Sequence, residues 1–216
     1  MQRLALFDLD NTLVDLDQAF RLWVEEFTEE YGLGREVVDW LIALDRAGYP
    51  HRETFFTQVR EHYTLSAPVE ELWDGYRRRM PYLVHCPSEV LAGLSRLRAS
   101  GWLVAIVTNG MADNQLGKIR RSGLADVVDA WALSGAQGIR KPEVELFQIA
   151  ATRCGVTLDG GGWMIGDNLV ADIAGGCAAG LRTIWIDRGT WPDHVHAADH
   201  VVTDLLQAME VLHRQR

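Results

Sequence analysis

Cysteine is scarce in this chain: Cys86, Cys154 and Cys177 are the only three in 216 residues. They are scattered, odd in number and form no C-x-x-C pair. That argues against a disulfide framework and a zinc site, and it predicts a reduced, cytoplasmic setting. Basic runs are missing as well. Lys and Arg number 21 against 30 Asp and Glu, for a formal net charge of -9. Such a surface argues against nucleic acid or an anionic membrane as the main partner. An anionic ligand would then need local positive charge, from a metal ion or a placed lysine. No apolar run is long enough to cross a bilayer. The N-terminus carries no charged-then-apolar segment with a cleavage site. No repeat or low-complexity segment is present. What remains is an ordinary globular composition, 48% hydrophobic, with room for a domain and a sizeable insertion.

The first dozen residues organise the rest. Leu4-Ala5-Leu6-Phe7 runs straight into Asp8-Leu9-Asp10-Asn11-Thr12. A short apolar run of this kind reads as a strand buried on both faces. Asp8 and Asp10, at i and i+2, point the same way from extended backbone, while Leu9 points into the core. Two carboxylates at the end of a buried strand repel each other unless a cation or a proton intervenes. The simpler alternative is a pair of solvated turn aspartates.

Past Thr12 the pattern becomes helical. Phe20, Trp23, Val24, Phe27 and Tyr31 recur at helical spacing opposite Glu25, Glu26, Glu29 and Glu30, closed by Gly32 and Gly34. Further helices are predicted over 35–47, 52–64 and 70–80, punctuated by Pro50 and Pro68. From Pro87 helices and strands alternate. A helix over 88–99, with Ser88 as its N-cap, precedes a strand over 103–107 that ends in Thr108-Asn109-Gly110. A helix over 112–121 and a strand over 127–133 follow. Pro142 is placed for the first turn of a helix reaching about Cys154. A strand over 163–165 ends in Gly166-Asp167-Asn168, and small residues from Ala171 to Ala179 mark a closely packed helix. Strands over 183–186 and 201–202 and a helix through Leu205, Met209 and Leu212 complete the chain. The pattern predicts an α/β fold, a Rossmann-like, mostly parallel sheet core (1–14 and 86–216) with an inserted all-helical cap domain (15–85).

The polar clusters fall at three predicted strand ends, where open parallel sheets bind ligands. Asp8 and Asp167 are hard oxygen ligands suited to Mg²⁺. Thr108 offers a hydroxyl and the following N–H groups to phosphoryl oxygens, and Gly110 lets backbone approach. Lys141, at a predicted helix N-terminus, can neutralise Asp8 and a phosphate together. Taken singly, Thr108-Asn109-Gly110 reads as a turn, Lys141 as a solvated lysine beside Arg140, and Asp167 and Asp172 as an N-cap and a surface acid. Their joint order at strand ends favours function.

These residues resemble the haloacid dehalogenase-like (HAD) hydrolase superfamily. Its strand ending in Asp-x-Asp-x-Thr is matched by Asp8-Leu9-Asp10-Asn11-Thr12. Its Ser or Thr after a strand is matched by Thr108, its lysine by Lys141, and its acidic motif by Gly166-Asp167-Asn168 with Asp172. The helical insertion resembles the cap of the family's first subclass. The resemblance implies a phosphatase of a small phosphorylated metabolite, with Asp8 as nucleophile forming an aspartyl-phosphate and Asp10 as general acid and base. It implies Mg²⁺ held by Asp8, the backbone carbonyl of Asp10, and Asp167, supported by Asn168 and Asp172. Thr108, Asn109, Gly110 and Lys141 would hold the phosphoryl group. The family's dehalogenases lack the second carboxylate, so Asp10 favours phosphoryl transfer.

Two other readings compete. A phosphomutase of the β-phosphoglucomutase type would share the aspartyl-phosphate, but needs acceptor-binding groups that the sequence does not identify. A receiver-like signalling domain also gathers Asp, Thr and Lys around Mg²⁺, but has no insertion after its first strand and accepts phosphate at a later one. Arg21, Trp23, Arg46, His51, Arg52 and Arg77 of the insertion are specificity candidates whose simpler reading is structural. His194, His196 and His200, near Trp191-Pro192, read more simply as ordinary histidines than as a metal site.

Overall fold

A computed structural model describes residues 2–46, 52–191 and 197–215. Pro50, His51, Pro192, His194 and His196 lie outside the described residues. The chain divides into two compact units, Met1–Asp15 with His85–Arg216, and Leu16–Val84.

The first unit is built on six strands. These are β1 (Leu4–Phe7), β2 (Leu103–Thr108), β3 (Ala130–Leu133), β4 (Trp163–Gly166), β5 (Arg182–Ile186) and β6 (His200–Val202). They lie in the order β3-β2-β1-β4-β5-β6, and every pairing is parallel. The order reverses between β1 and β4, which makes the end of β1 the switch point where such sheets open a ligand crevice. Register places Phe7 beside Ile106 on one side and Ile165 on the other. The residues that follow these strands therefore emerge together.

The second unit is helical: α1 (Leu16–Glu30), α2 (Glu36–Arg46), α3 (Arg52–His62) and α4 (Val69–Leu83). Its core is aromatic. Phe20, Trp23, Phe27, Phe55, Phe56 and Tyr76 are all buried. Trp23 meets Phe27 at 4.9 Å, Tyr76 at 5.1 Å and Phe56 at 5.7 Å between ring centroids. Arg52 lays its guanidinium over Phe20, Phe55 and Tyr76 at 5.1–5.3 Å and pairs with Asp45. The helices thus associate through ring edges and faces, each pair adding about 0.5–1.5 kcal/mol beyond burial. Pro81 sits inside α4, so that helix runs past its predicted end at residue 80.

In the sheet unit, α5 (Ser88–Ala99), α6 (Ala112–Arg121), α7 (Ser134–Gln137), α8 (Val144–Arg153), α9 (Gly175–Ala178) and α10 (Leu205–Arg214) complete the fold. Leu4, Leu6, Ala105, Val107 and Met164 pack one sheet face against Leu146, Phe147, Ala150 and Ala151 of α8. Ala5, Phe7, Val104 and Ile106 are equally buried, so the central strands are covered on both faces. That double burial is why they read as unbroken apolar runs.

Several local expectations need correction. Ser88 is the first residue of α5, and Pro87 holds the cap position. β3 starts at Ala130, because Asp126 and Val127 close a short 3-10 turn. Pro142 lies in a tight turn before α8 rather than in its first turn, and the Lys141–Pro142 bond is cis. The small-residue helix is a π-helical turn, Leu169–Ala174, running into α9. Its small residues reflect packing: a Cβ on Gly175 would stand 2.9 Å from the Cα of Pro142.

Candidate active site

Asp8 follows β1 directly, and its N–H still donates to the Ile165 carbonyl at 2.9 Å. The ladder therefore fixes where its carboxylate emerges. The Lys141 ammonium, only 3% exposed, donates to Asp8 Oδ1 at 2.6 Å, Asp172 Oδ1 at 2.7 Å and the Val107 carbonyl at 2.6 Å. An ammonium has three hydrogens, and here all three have acceptors. Asn109 holds the lysine from behind. Its Nδ2 donates to the Lys141 carbonyl at 3.0 Å, and its Oδ1 accepts from the Lys141 N–H at 2.8 Å. The Asn109 side chain thus fixes Lys141 rather than standing ready for a phosphoryl oxygen.

Asp172 comes from the π-helical turn, a local widening that recurs at functional sites. Its Oδ2 accepts from the Asn168 N–H at 3.1 Å. The Asn168 side chain caps that turn, accepting from Val170 and Ala171 at 3.0 and 2.8 Å. Asn168 therefore bonds Asp172 through its backbone, and its side-chain oxygen is taken up by the turn itself. Gly166 is required by the same packing: a Cβ there would lie 2.2 Å from Asp172 Oδ2. Asp167 stands at the end of β4, its carbonyl accepting from Trp185 Nε1 at 3.0 Å.

Carboxylate oxygens of Asp8, Asp167 and Asp172 all lie within 4.8 Å of one another. Three carboxylates face one ammonium, so negative charge is in excess. Burial pushes the Asp8 carboxyl up to about 7, against the pull of Lys141 and with Asp172 adding to the rise. Burial, then Asp8 and Asp172, push Asp167 up to about 8. A set of hard, anionic, crowded oxygens fits a divalent ion that prefers oxygen ligands and keeps some waters, as Mg²⁺ does.

The Asp10 carboxylate is held by α6, and its charge adds to the rise of the Asp8 carboxyl. Its Oδ1 accepts from Lys118 Nζ at 2.7 Å and its Oδ2 from Gln115 Nε2 at 2.9 Å. Asn11 beside it has φ of +58°, a left-handed conformation that Asn tolerates and Gly takes freely. That explains Asn at this position. Gln115 also donates to Thr108 Oγ1 at 2.6 Å. The Gly110 N–H donates to Ser134 Oγ at 2.9 Å, so it is already engaged.

The structure thus brings Asp8, Lys141, Asp167 and Asp172 into one cluster. Thr108 and Asn109 lie next to it, and Asp10 faces the neighbouring helix. Gln115, Lys118 and Ser134 were not foreseen. The signal for the first two lay in α6, whose sequence Ala112-Asp113-Asn114-Gln115-Leu116-Gly117-Lys118-Ile119-Arg120-Arg121 lacks an apolar stripe. Its buried face is instead Asn114, Gln115, Lys118 and Ile119.

A family model described as haloacid dehalogenase-like hydrolase matches residues 5–186. The phosphoserine phosphatase of Thermus thermophilus is 35% identical over 152 residues, an alignment spanning 69% of this chain and 59% of that protein. The ribulose-1,5-bisphosphate 5-phosphatase of Halopiger xanaduensis is 32% identical over 94% of this chain and 92% of its own length. Among solved structures, the magnesium-bound HAD-hydrolase YfnB of Bacillus subtilis superposes with a TM-score of 0.77 at 24% identity, covering 98% of this chain and 99% of that one. That likeness shows a shared fold.

Proposed function

The chain belongs to the haloacid dehalogenase-like hydrolase family, and from that premise we propose a Mg²⁺-dependent phosphatase of a small phosphorylated metabolite that works through Asp8. The observation that carries this reading is the single ammonium of Lys141 bound to Asp8 and Asp172 at once, with Asp167 beside them. Relatives named as phosphatases of phosphoserine and of ribulose bisphosphate support the substrate class. The helical unit is read as the family's cap.

In this reading Asp8 and Asp167, with the backbone carbonyl of Asp10, would hold Mg²⁺, and Asp172 and Asn168 would steady them. The ion, when bound, would screen the charge between the attacking carboxylate and the phosphoryl oxygens. A free Asp8 oxygen attacks phosphorus, the bond to the leaving oxygen breaks, and that oxygen takes a proton from the Asp10 carboxyl. The aspartyl-phosphate then accepts water. The water gives a proton to Asp10 as its oxygen bonds to phosphorus, and Asp8 is released. The Thr108 hydroxyl and the backbone of Asn109 would hold the phosphoryl oxygens, whose charge grows in the transition state. Lys141 would join them by exchanging one of its present acceptors, and the Gly110 N–H by releasing Ser134 Oγ.

The test is phosphate release from a panel of phosphorylated metabolites and p-nitrophenyl phosphate, with no sugar bisphosphate added. Release that requires Mg²⁺ and falls about 10³-fold or more in Asp8→Asn is expected. Equal turnover in Asp8→Asn would overturn the reading.

A further inference from the structure

Two buried polar side chains have no part in the scheme above. Lys118 is 3% exposed and Gln115 is 1% exposed, both on the buried face of α6. Burying an ammonium is strongly unfavourable unless it is paired and hydrogen-bonded. The partner here is Asp10: Lys118 Nζ reaches Oδ1 at 2.7 Å, while Gln115 Nε2 takes Oδ2 at 2.9 Å. Positions 115 and 118 are three apart on α6, so they share a face and grip both oxygens of one carboxylate. A carboxylate held at both oxygens keeps one plane and one direction.

Gln115 makes a second link. The same nitrogen donates to Thr108 Oγ1 at 2.6 Å. That bond leaves the Thr108 hydroxyl hydrogen to be donated, here only in a long 3.5 Å contact to the Asn109 carbonyl. One amide thereby ties the side chain proposed to move the proton to the one proposed to hold phosphate.

We propose that Lys118 and Gln115 are positioning residues that act through Asp10, fixing its carboxylate for proton exchange with the leaving oxygen and the attacking water. The inference rests on Asp10 as general acid and base. Asp10 delivers a proton to the leaving oxygen as its bond to phosphorus breaks. Loss of alignment should therefore matter most where the leaving oxygen is strongly basic.

The experiment compares kcat/KM for p-nitrophenyl phosphate, a good leaving group, with that for the best alkyl phosphate found, at saturating Mg²⁺. Lys118→Met is expected to lose roughly 100-fold on the alkyl ester and roughly 10-fold on the aryl ester, within the range of a general acid's contribution. Lys118→Arg, which keeps the charge with a different reach, should show the same split at smaller size. It serves if Lys118→Met does not fold. Asp10→Asn is measured beside them and should show the larger split, with the double variant no worse than Asp10→Asn alone. Equal losses on both esters in the lysine variants, with the split retained in Asp10→Asn, would overturn the positioning role while leaving Asp10 its own. Absence of any split in Asp10→Asn would overturn both.

Discussion

The two units bury different things. Among the described residues, the helical unit buries rings, and its one buried polar residue is Thr28, whose hydroxyl bonds back to the Val24 carbonyl of its own helix. The sheet unit buries Asp8, Gln115, Lys118, Lys141 and Asp172, each tied to partners on other segments. Apolar burial is insensitive to direction and stabilises wherever area is lost from water. Buried charge is stabilising only when every partner is in place, so it fixes geometry and leaves little tolerance. The contrast separates a region built for stability from one in which local stability is traded for a defined arrangement of charge.

Lys141→Ala tests the contrast hardest. It leaves Asp8 and Asp172 as buried carboxylates without their cation, and should cost about 3–5 kcal/mol in urea unfolding along with most turnover. Unchanged stability would mean that the cluster is not the tight network described. In the helical unit the corresponding change is Phe56→Ala. Deleting this fully buried ring should also cost about 3–5 kcal/mol, through lost apolar burial and the cavity left behind, with no charge involved. A loss under about 1 kcal/mol would show the aromatic core to be loosely packed.

Gly166→Ala sharpens the comparison. The added methyl must displace the Asp172 carboxylate, and a shift of that order costs about 10²-fold in kcat. Wild-type kcat would show that Asp172 does not hold Lys141 in register. The smallest effect concerns pH. The raised carboxyls of Asp8 and Asp167 keep protons in the folded protein that the unfolded chain releases above about pH 4. The stability they lend is complete below that point and is lost as pH rises through about 7 for Asp8 and about 8 for Asp167. In the proposed scheme Mg²⁺ takes the place of those protons, so it should raise Tm more at pH 8 than at pH 6. Each kcal/mol would appear as about 2–4 °C by scanning calorimetry. Equal shifts at both pH values would contradict the account.

The order and type of the sheet elements were legible because β1, β2 and β4 are buried on both faces and carry unbroken apolar runs. Polar residues that interrupt such runs only at strand ends marked Asp8, Thr108 and Asp167 for the same reason. Element boundaries were less legible. Pro142 suits a helix start by its fixed φ, yet the turn that aims Lys141 inward takes it first. The widening after Asn168 goes with Ile173 N–H bonding the Asn168 carbonyl and Asp172 bonding back to the Asn168 N–H, contacts that no periodicity reports. Lys118 escaped notice because a lone lysine on a polar helix reads as solvated. Its burial follows from Asp10, more than a hundred residues earlier in the chain.

The most direct measurement of the central claim is the mass of peptides from Asp10→Asn quenched in acid after mixing with p-nitrophenyl phosphate and Mg²⁺. In the proposed scheme the loss of the Asp10 carboxyl slows water attack, so the aspartyl-phosphate accumulates. The account predicts a gain of one HPO₃ unit on the peptide bearing Asp8, dependent on Mg²⁺ and absent when Asp8 is also replaced by Asn. A phosphoryl group found on any other residue, or none under conditions of rapid nitrophenolate release, would contradict it.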